Sequence, residues 1–337
     1  MNINKLENNN FHLIMSGSGA RFISFVGSLS YYQNYYDNFL NRIKTITATS
    51  GGSIVGLLIA LGYNLLTIKN YILNLESKDV KKSDYFKFLH SYGIDDGEKI
   101  INIIKNLIEK KLGNKNATFK DLYMLKGILF NVTGTCLNTY KTTYFSYESH
   151  PDMELWKAVR ISTSIPFYYT YFDYEDKVYV DGALLEYFPI SKIEDIKEKG
   201  YINNNDIIIA IKLSDVNDNL DFRKINNIKD YGLHVIYCIL QNLEKEKNLD
   251  IYQKYFNLHF FENVNSNDIN SDKNENKQIN IKYITNFHFI KILTKVSGIN
   301  LEIDKNGKEI LFSDSYDITK RYMDKKDKYL VKINNVK

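Results

Sequence analysis

The feature that most constrains this chain is a pattern that occurs twice: a short apolar run, an abrupt turn of small residues, then a helical pattern. Residues 11–15 (FHLIM) run into Ser16-Gly17-Ser18-Gly19, and residues 44–49 (KTITAT) run into Ser50-Gly51-Gly52. Runs this short, bounded by turn residues, read as buried strands. A helix is expected from about Arg21 through the aromatic stretch to Tyr36. Another is expected after Ser50, where Ile54, Leu57, Leu58 and Leu61 recur at helical spacing. Gly52, Gly56 and Ala60 lie four apart, a line of small residues that lets this helix approach a sheet closely. Further strand character occurs at 127–134 (GILFNVTG), 178–180 and 207–213 (IIIAIKL). Strands alternating with helices predict an α/β fold, a mostly parallel central sheet with helices on both faces.

The rest of the chain divides around this frame. Residues 64–124 are amphipathic and charged, notably 71–76 and 99–111, and predict a helical insertion that could serve as a lid. A core over 11–215 and a region over 216–337 that completes or flanks it are expected. Within the latter, 231–243 reads as a helix and 256–261 as a strand. A polar, Asn-rich stretch at about 262–279 reads as a disordered surface insertion.

Bulk properties mainly exclude. With 44 basic against 40 acidic residues the net charge is +4, too small an excess to suggest a nucleic-acid partner, although it permits contact with anionic membranes. Cys136 and Cys238 lie far apart with no CxxC or Cys/His cluster, which argues against a disulfide scaffold or structural zinc. Residues 1–10 are polar and lack a secretory signal pattern, and the apolar run 54–61 is well short of the roughly 20 residues that span a bilayer. A soluble protein, cytoplasmic or peripheral on membranes, is expected.

Three segments carry candidate chemistry. Ala48-Thr49-Ser50-Gly51-Gly52 approximates the GxSxG elbow, in which a sharp strand-to-helix turn exposes a serine hydroxyl, with Ala48 at the first glycine position. The alternative is a serine helix cap without chemistry. Gly17-Ser18-Gly19-Ala20-Arg21 also joins a strand to a helix. Its N–H groups, with that of Gly51, could hold an oxyanion, with Arg21 adding positive potential or bracing the loop. The competing reading is a dinucleotide fingerprint, against which Phe22 stands at the third glycine position. Asp181-Gly182-Ala183 supplies a carboxylate or simply marks a turn.

In order along the chain, SGSGAR, ATSGGSIVG, residues 158–166 (AVRISTSIP, ending at Pro166) and DGA resemble the ordered motifs of the patatin-like phospholipases. The resemblance spans roughly 11–213. It implies a three-layer α/β/α sandwich and a Ser-Asp dyad that cleaves acyl esters of phospholipids or other acyl lipids, in transient contact with a membrane surface. Ser50 is then the nucleophile and Asp181 its base, with Gly17, Ser18, Gly19, Arg21 and Gly51 around the oxyanion. Ala48, Gly52, Pro166, Gly182 and Ala183 support the motifs. Ala48, and Phe22 where the family has a glycine after the arginine, keep open a relative that binds lipid or protein without hydrolysis. The resemblance leaves room for a protein activator.

A serine hydroxyl needs a base, usually histidine. The six histidines offer no evident candidate: His12 precedes the glycine loop, His90 and His150 lie in polar connections, and His234, His259 and His288 fall in the tail. A partly desolvated carboxylate can take that role. No metal or cofactor is implied, because the acidic residues show no ligand spacing. Phe167, Tyr168, Tyr169, Tyr171 and Phe172 read either as an acyl-pocket lining or as core aromatics. Arg160 and the basic stretch 320–328 read as a solvated surface or a lipid-docking patch. Asn131-Val132-Thr133 fits a glycosylation pattern, set aside because no secretory signal precedes it.

Overall fold

A computed structural model describes residues 9–80, 88–215, 225, 227, 230–239, 286–296 and 302–334. The strands are β1 (Phe11–Met15), β2 (Ile43–Ala48), β3 (Gly93–Asp95), β4 (Leu129–Cys136), β5 (Lys141–Phe145), β6 (Phe167–Tyr169), β7 (Phe172–Tyr174), β8 (Lys177–Asp181), β9 (Ile207–Asp215) and β10 (Phe287–Thr294). The helices are α1 (Ile23–Tyr35), α2 (Gly51–Ala60), α3 (Leu65–Asn74), α4 (Ser77–Val80), α5 (Phe88–Ser91), α6 (Glu98–Leu112), α7 (Phe119–Lys126), α8 (Leu155–Ser162), α9 (Ala183–Glu186) and α10 (Lys192–Glu198). They are followed by α11 over 230–239 and α12 (Lys305–Asn334).

The main sheet has the order β10-β9-β1-β2-β4-β8-β7, with β5 beside the far end of β4. The first five strands are mutually parallel, while β5, β7 and β8 are antiparallel to their neighbours. Parallel strands buried on both faces need continuous apolar sequence, which FHLIM and IIIAIKL supply. Their side chains alternate accordingly. Phe11, Leu13, Met15, Ile207, Ile209 and Ile211 enter one core, and Ile14, Ile208 and Ala210 enter a second with Phe188, Ile190 and Ile193. The first core lies beneath α1, α2, α8 and α12, and the second beneath the 188–193 segment and α10. The result is the expected three-layer α/β/α sandwich.

The small residues of α2 do what their spacing predicts. A Cβ on Gly52 would stand 2.5 Å from Ser16 O, and one on Gly56 would stand 3.1 Å from both Ile46 and Phe130. The described residues of 64–124 contribute α3 to α7 together with β3, which pairs in parallel with β6 in a separate two-stranded sheet. In the carboxy-terminal region, the expected helix is seen over 230–239, its remainder lying outside the described residues. The strand expected at 256–261 and the polar insertion at 262–279 also lie outside them. Sequence reasoning missed β10, which continues the sheet beyond β9, and α12, which covers α1. Asn131 is a fully buried residue of central strand β4, a position closed to glycosylation. No helix among the described residues is long and apolar enough to cross a membrane.

Candidate active site

Strand register assembles the site. Met15 pairs with Ala48, so β1 and β2 end level, and the turns that follow them lie side by side at the carboxyl edge of the sheet. Ala48 also pairs with Val132 of β4, which continues beyond the end of β2 through Gly134 to Cys136. Antiparallel β8 returns along that overhang and ends with Asp181 opposite Gly134. The third segment thus reaches the level of the second although 131 residues separate Ser50 from Asp181 in sequence.

Ser50 has φ 50° and ψ −127°, a region that non-glycine residues rarely adopt and that costs of order 1–3 kcal/mol. The strained turn points the hydroxyl away from the helix it opens, and Ser50 makes no side-chain cap bond. Instead Ser50 Oγ donates to Asp181 Oδ2 at 2.7 Å, so the plain helix-cap reading fails on geometry. The backbone around the turn is held tightly. Ser50 N–H donates to Ser162 Oγ at 2.8 Å, and Thr49 Oγ1 donates to Glu186 O while accepting from Thr133 Oγ1. Among the described residues no histidine hydrogen-bonds Ser50; His12 pairs with Thr45 and Asp206, and His288 with Tyr32 and Lys326.

Asp181 is buried, and both its main-chain groups are bound: its N–H donates to Ser164 O and its carbonyl accepts from Thr135 Oγ1. Oδ1 accepts from Ala183 N–H at 2.8 Å, leaving Oδ2 for Ser50. Gly182 is required here, because a Cβ would lie 2.1 Å from Thr133 Oγ1 and 2.6 Å from Thr133 O. Burial pushes the carboxyl up to about 7, against the opposing effects of the Ala183 N–H, the Ser50 hydroxyl and the Arg160 charge. A carboxylate with that proton affinity is a far better base than an exposed one.

The glycine loop packs directly on the elbow: a Cβ on Gly51 would meet Ser18 Oγ at 2.2 Å and Gly19 O at 2.6 Å. Its members are not equivalent. Gly17 N–H is spent on Tyr187 O at 2.8 Å, which removes it from the expected oxyanion donors. The N–H groups of Ser18, Gly19 and Gly51 have no hydrogen-bond acceptor among the described residues. Arg21 braces: its Nε donates to Ser18 O, and its guanidinium turns away to Asp215, Thr294 Oγ1 and Val296 O. The two departures from the family motif are accommodated. Ala48 is an ordinary buried strand residue, and Phe22 lines a cavity instead of packing a glycine-dependent helix contact.

That cavity, of about 140 Å³, opens beside Ser50 and Gly51. Its walls are overwhelmingly apolar, with Ile54, Leu57 and Leu58 from α2 and Ile100, Ile103, Ile104 and Leu107 from α6. Ile165, Tyr168 and Tyr169 close it, and among the described residues Glu76 and Lys308 are the acidic and basic side chains of its lining. Of the five aromatics expected around an acyl pocket, Tyr168 and Tyr169 line it, whereas Phe167, Tyr171 and Phe172 do not. Pro166, half-buried, carries the chain from Ile165 into β6.

Both surface readings of Arg160 are overturned. Its side chain is fully buried, its neighbours in AVRIS being core residues of α8. The 320–328 stretch is amphipathic, with Tyr322, Met323 and Lys326 turned inward. Sequence reasoning also gave no individual role to Ser162, Thr133 and Tyr187, which hold the elbow, the DGA turn and the glycine loop. Their contacts are long-range and carry no local signature.

A protein of Invertebrate iridescent virus 6, named as a "Probable lipid hydrolase", is 27% identical over 202 residues, 59% of this chain and 68% of that protein. An uncharacterized protein of Acanthamoeba polyphaga mimivirus is 27% identical over 311 residues, 89% of both chains. Among solved structures, VipD from Legionella pneumophila shares the fold with a TM-score of 0.55 at 14% identity, covering 94% of this chain and 67% of its own. The profile of the patatin-like phospholipases matches residues 13–192, a span that begins in β1 ahead of the glycine loop and ends beyond the DGA turn. With more than half of its length matched, and the matched motifs converging on one apolar-walled site, the chain belongs to the patatin-like phospholipase family.

Proposed function

We propose that this protein is a serine lipid acyl hydrolase of phospholipase A type, in which Ser50 and Asp181 act as a dyad through an acyl-enzyme. The observation that carries the reading is the 2.7 Å hydrogen bond from the Ser50 hydroxyl to a buried carboxylate whose proton affinity is raised to about 7. The name of the iridovirus relative supports the same class of reaction.

Ser50 Oγ attacks the ester carbonyl as its proton passes to Asp181 Oδ2. The carbonyl oxygen becomes an oxyanion, stabilised by the N–H of Gly51 and by the Ser18 and Gly19 N–H groups, with the amino-terminal dipole of α2 behind them. Each such donor is worth about 10²–10³ in rate. Collapse breaks the bond to the lysolipid or alcohol oxygen, which leaves with the proton from Asp181. Water then gives a proton to Asp181 and attacks the acyl-enzyme, releasing the fatty acid as Ser50 recovers its proton. The apolar cavity takes the acyl chain, and the helical insertion over 64–124 supplies much of its wall, as a lid would. Contact with lipid is a transient meeting with a membrane surface.

The test is covalent and catalytic together. A fluorophosphonate should label the wild-type protein at Ser50, and Ser50→Ala should abolish both labelling and hydrolysis of fatty-acyl esters while the thermal unfolding profile persists. Failure of the probe to label folded wild-type protein would favour a silent relative that only binds lipid or protein.

A further inference from the structure

The buried Arg160 carries a charge at this site that the reaction above does not use. Four hydrogen-bonding groups from three residues converge on its guanidinium. Nη1 donates to Ser164 Oγ; Nε and Nη2 donate to Asp96 O at 3.3 and 3.1 Å; Nη2 also donates to Thr170 O at 3.0 Å and Thr170 Oγ1 at 3.2 Å. Gly97 is built around it, since a Cβ there would stand 2.5 Å from Arg160 Nε. These partners matter for where they lead. Ser164 is the residue whose carbonyl accepts from Asp181 N–H. Asp96 and Gly97 immediately precede α6, whose Ile100, Ile103, Ile104 and Leu107 wall the apolar cavity. Thr170 follows Tyr168 and Tyr169, which close it.

We propose that Arg160 is a positioning residue for the reaction, one that clamps the cavity wall to the base and supplies the positive charge that helps keep Asp181 ionised. Two observations support the electrostatic half. The ionisable groups facing Arg160 are Tyr169, Asp95, Asp96 and Asp181, and burial draws its proton affinity down against the pull of these groups. Arg160 reaches Asp181 through Ser164, whose hydroxyl it holds and whose carbonyl accepts from Asp181 N–H at 2.9 Å, and its charge acts on the Asp181 carboxylate. Buried cations near a carboxylate favour its charged form. Because the clamp joins α6 to Ser164, an acyl chain that seats α6 against the cavity would also settle the base.

This inference rests on the Ser50–Asp181 reading, and its test separates the two. Arg160→Gln keeps hydrogen-bonding capacity but removes the charge; Arg160→Lys keeps the charge but cannot span Ser164, Asp96 and Thr170 together. On a soluble short-chain ester, with active sites counted by fluorophosphonate labelling, the acid limb of kcat/KM should move upward by roughly 0.5–1 pH unit in Arg160→Gln. In Arg160→Lys the limb should stay near its wild-type position while kcat falls about tenfold or more, the scale expected of a misplaced base. An unmoved limb in correctly folded Arg160→Gln, or a wild-type kcat in Arg160→Lys, would overturn the inference. If Arg160→Gln does not fold, the Lys variant decides the clamp. Retention of activity by Asp181→Asn would instead overturn the dyad and leave the Arg160 contacts as packing alone.

Discussion

Replacing Asp181 with asparagine should make the protein inactive and, above neutral pH, more stable. Asparagine has the shape of the native side chain; its oxygen can accept from Ala183 N–H and its amide can donate to Ser50 Oγ, so the bonds at 2.8 and 2.7 Å both have replacements. What disappears is the charge. The carboxyl titrates at about 7 in the folded protein against an ordinary value of 3.8, because burial penalises the ionised form. The folded state therefore holds the proton more tightly than the unfolded chain. Stability from this group is fully present below the unfolded value, declines as pH rises, and is lost once pH passes about 7. At 1.36 kcal/mol per unit the difference amounts to ~4 kcal/mol at pH 8. For a chain of this length that is about 6 °C in Tm. Differential scanning fluorimetry of wild type and Asp181→Asn from pH 4 to 8 should show the variant's advantage growing from near zero to that size. Ester hydrolysis should fall by about 10²–10⁴, the range of general-base contributions. A variant no more stable than wild type at pH 8 would show that Asp181 is not held in a penalising environment, and the case for its basicity would fall with it.

The same titration gives wild-type kcat/KM an acid limb near pH 7, with activity at pH 6 about one-tenth of its plateau; a profile flat from pH 5.5 to 8 would contradict it. Gly182→Ala should cost about 1–3 kcal/mol and displace Asp181, because the new methyl must push against Thr133 O and Oγ1 on a buried strand; urea unfolding and ester hydrolysis would report the two effects. Gly51→Ala should lower kcat with little change in stability outside the site, by driving the Ser18–Gly19 turn away from the elbow; an unchanged kcat would exclude these N–H groups as oxyanion donors. Ile104→Trp, at the α6 wall of the cavity, should depress hydrolysis of long-chain p-nitrophenyl esters while sparing acetate and butyrate esters.

The chain's own pattern determines the strand–turn–helix units, because apolar runs, small turn residues and helical spacing act over a few residues. Ser16 to Gly19 and Ser50 to Gly52 were legible for that reason, and so was the α/β sandwich. The tertiary structure alone decided how those pieces meet. That Asp181 arrives opposite Gly134 depends on β8 running antiparallel along an overhang of β4, a pairing between residues about fifty apart that no local periodicity records. β10 escaped notice because its partner β9 lies across a long intervening stretch. Arg160 looked like a surface residue because a buried guanidinium is tolerated only when acceptors converge on it, and those acceptors come from residues 96, 164 and 170. Among the neighbouring aromatics, which ones reach the cavity follows from the packing of β6 against β3. Residue chemistry and local order were written in the sequence; burial, register and the proton affinity of Asp181 exist only once distant segments close around one another.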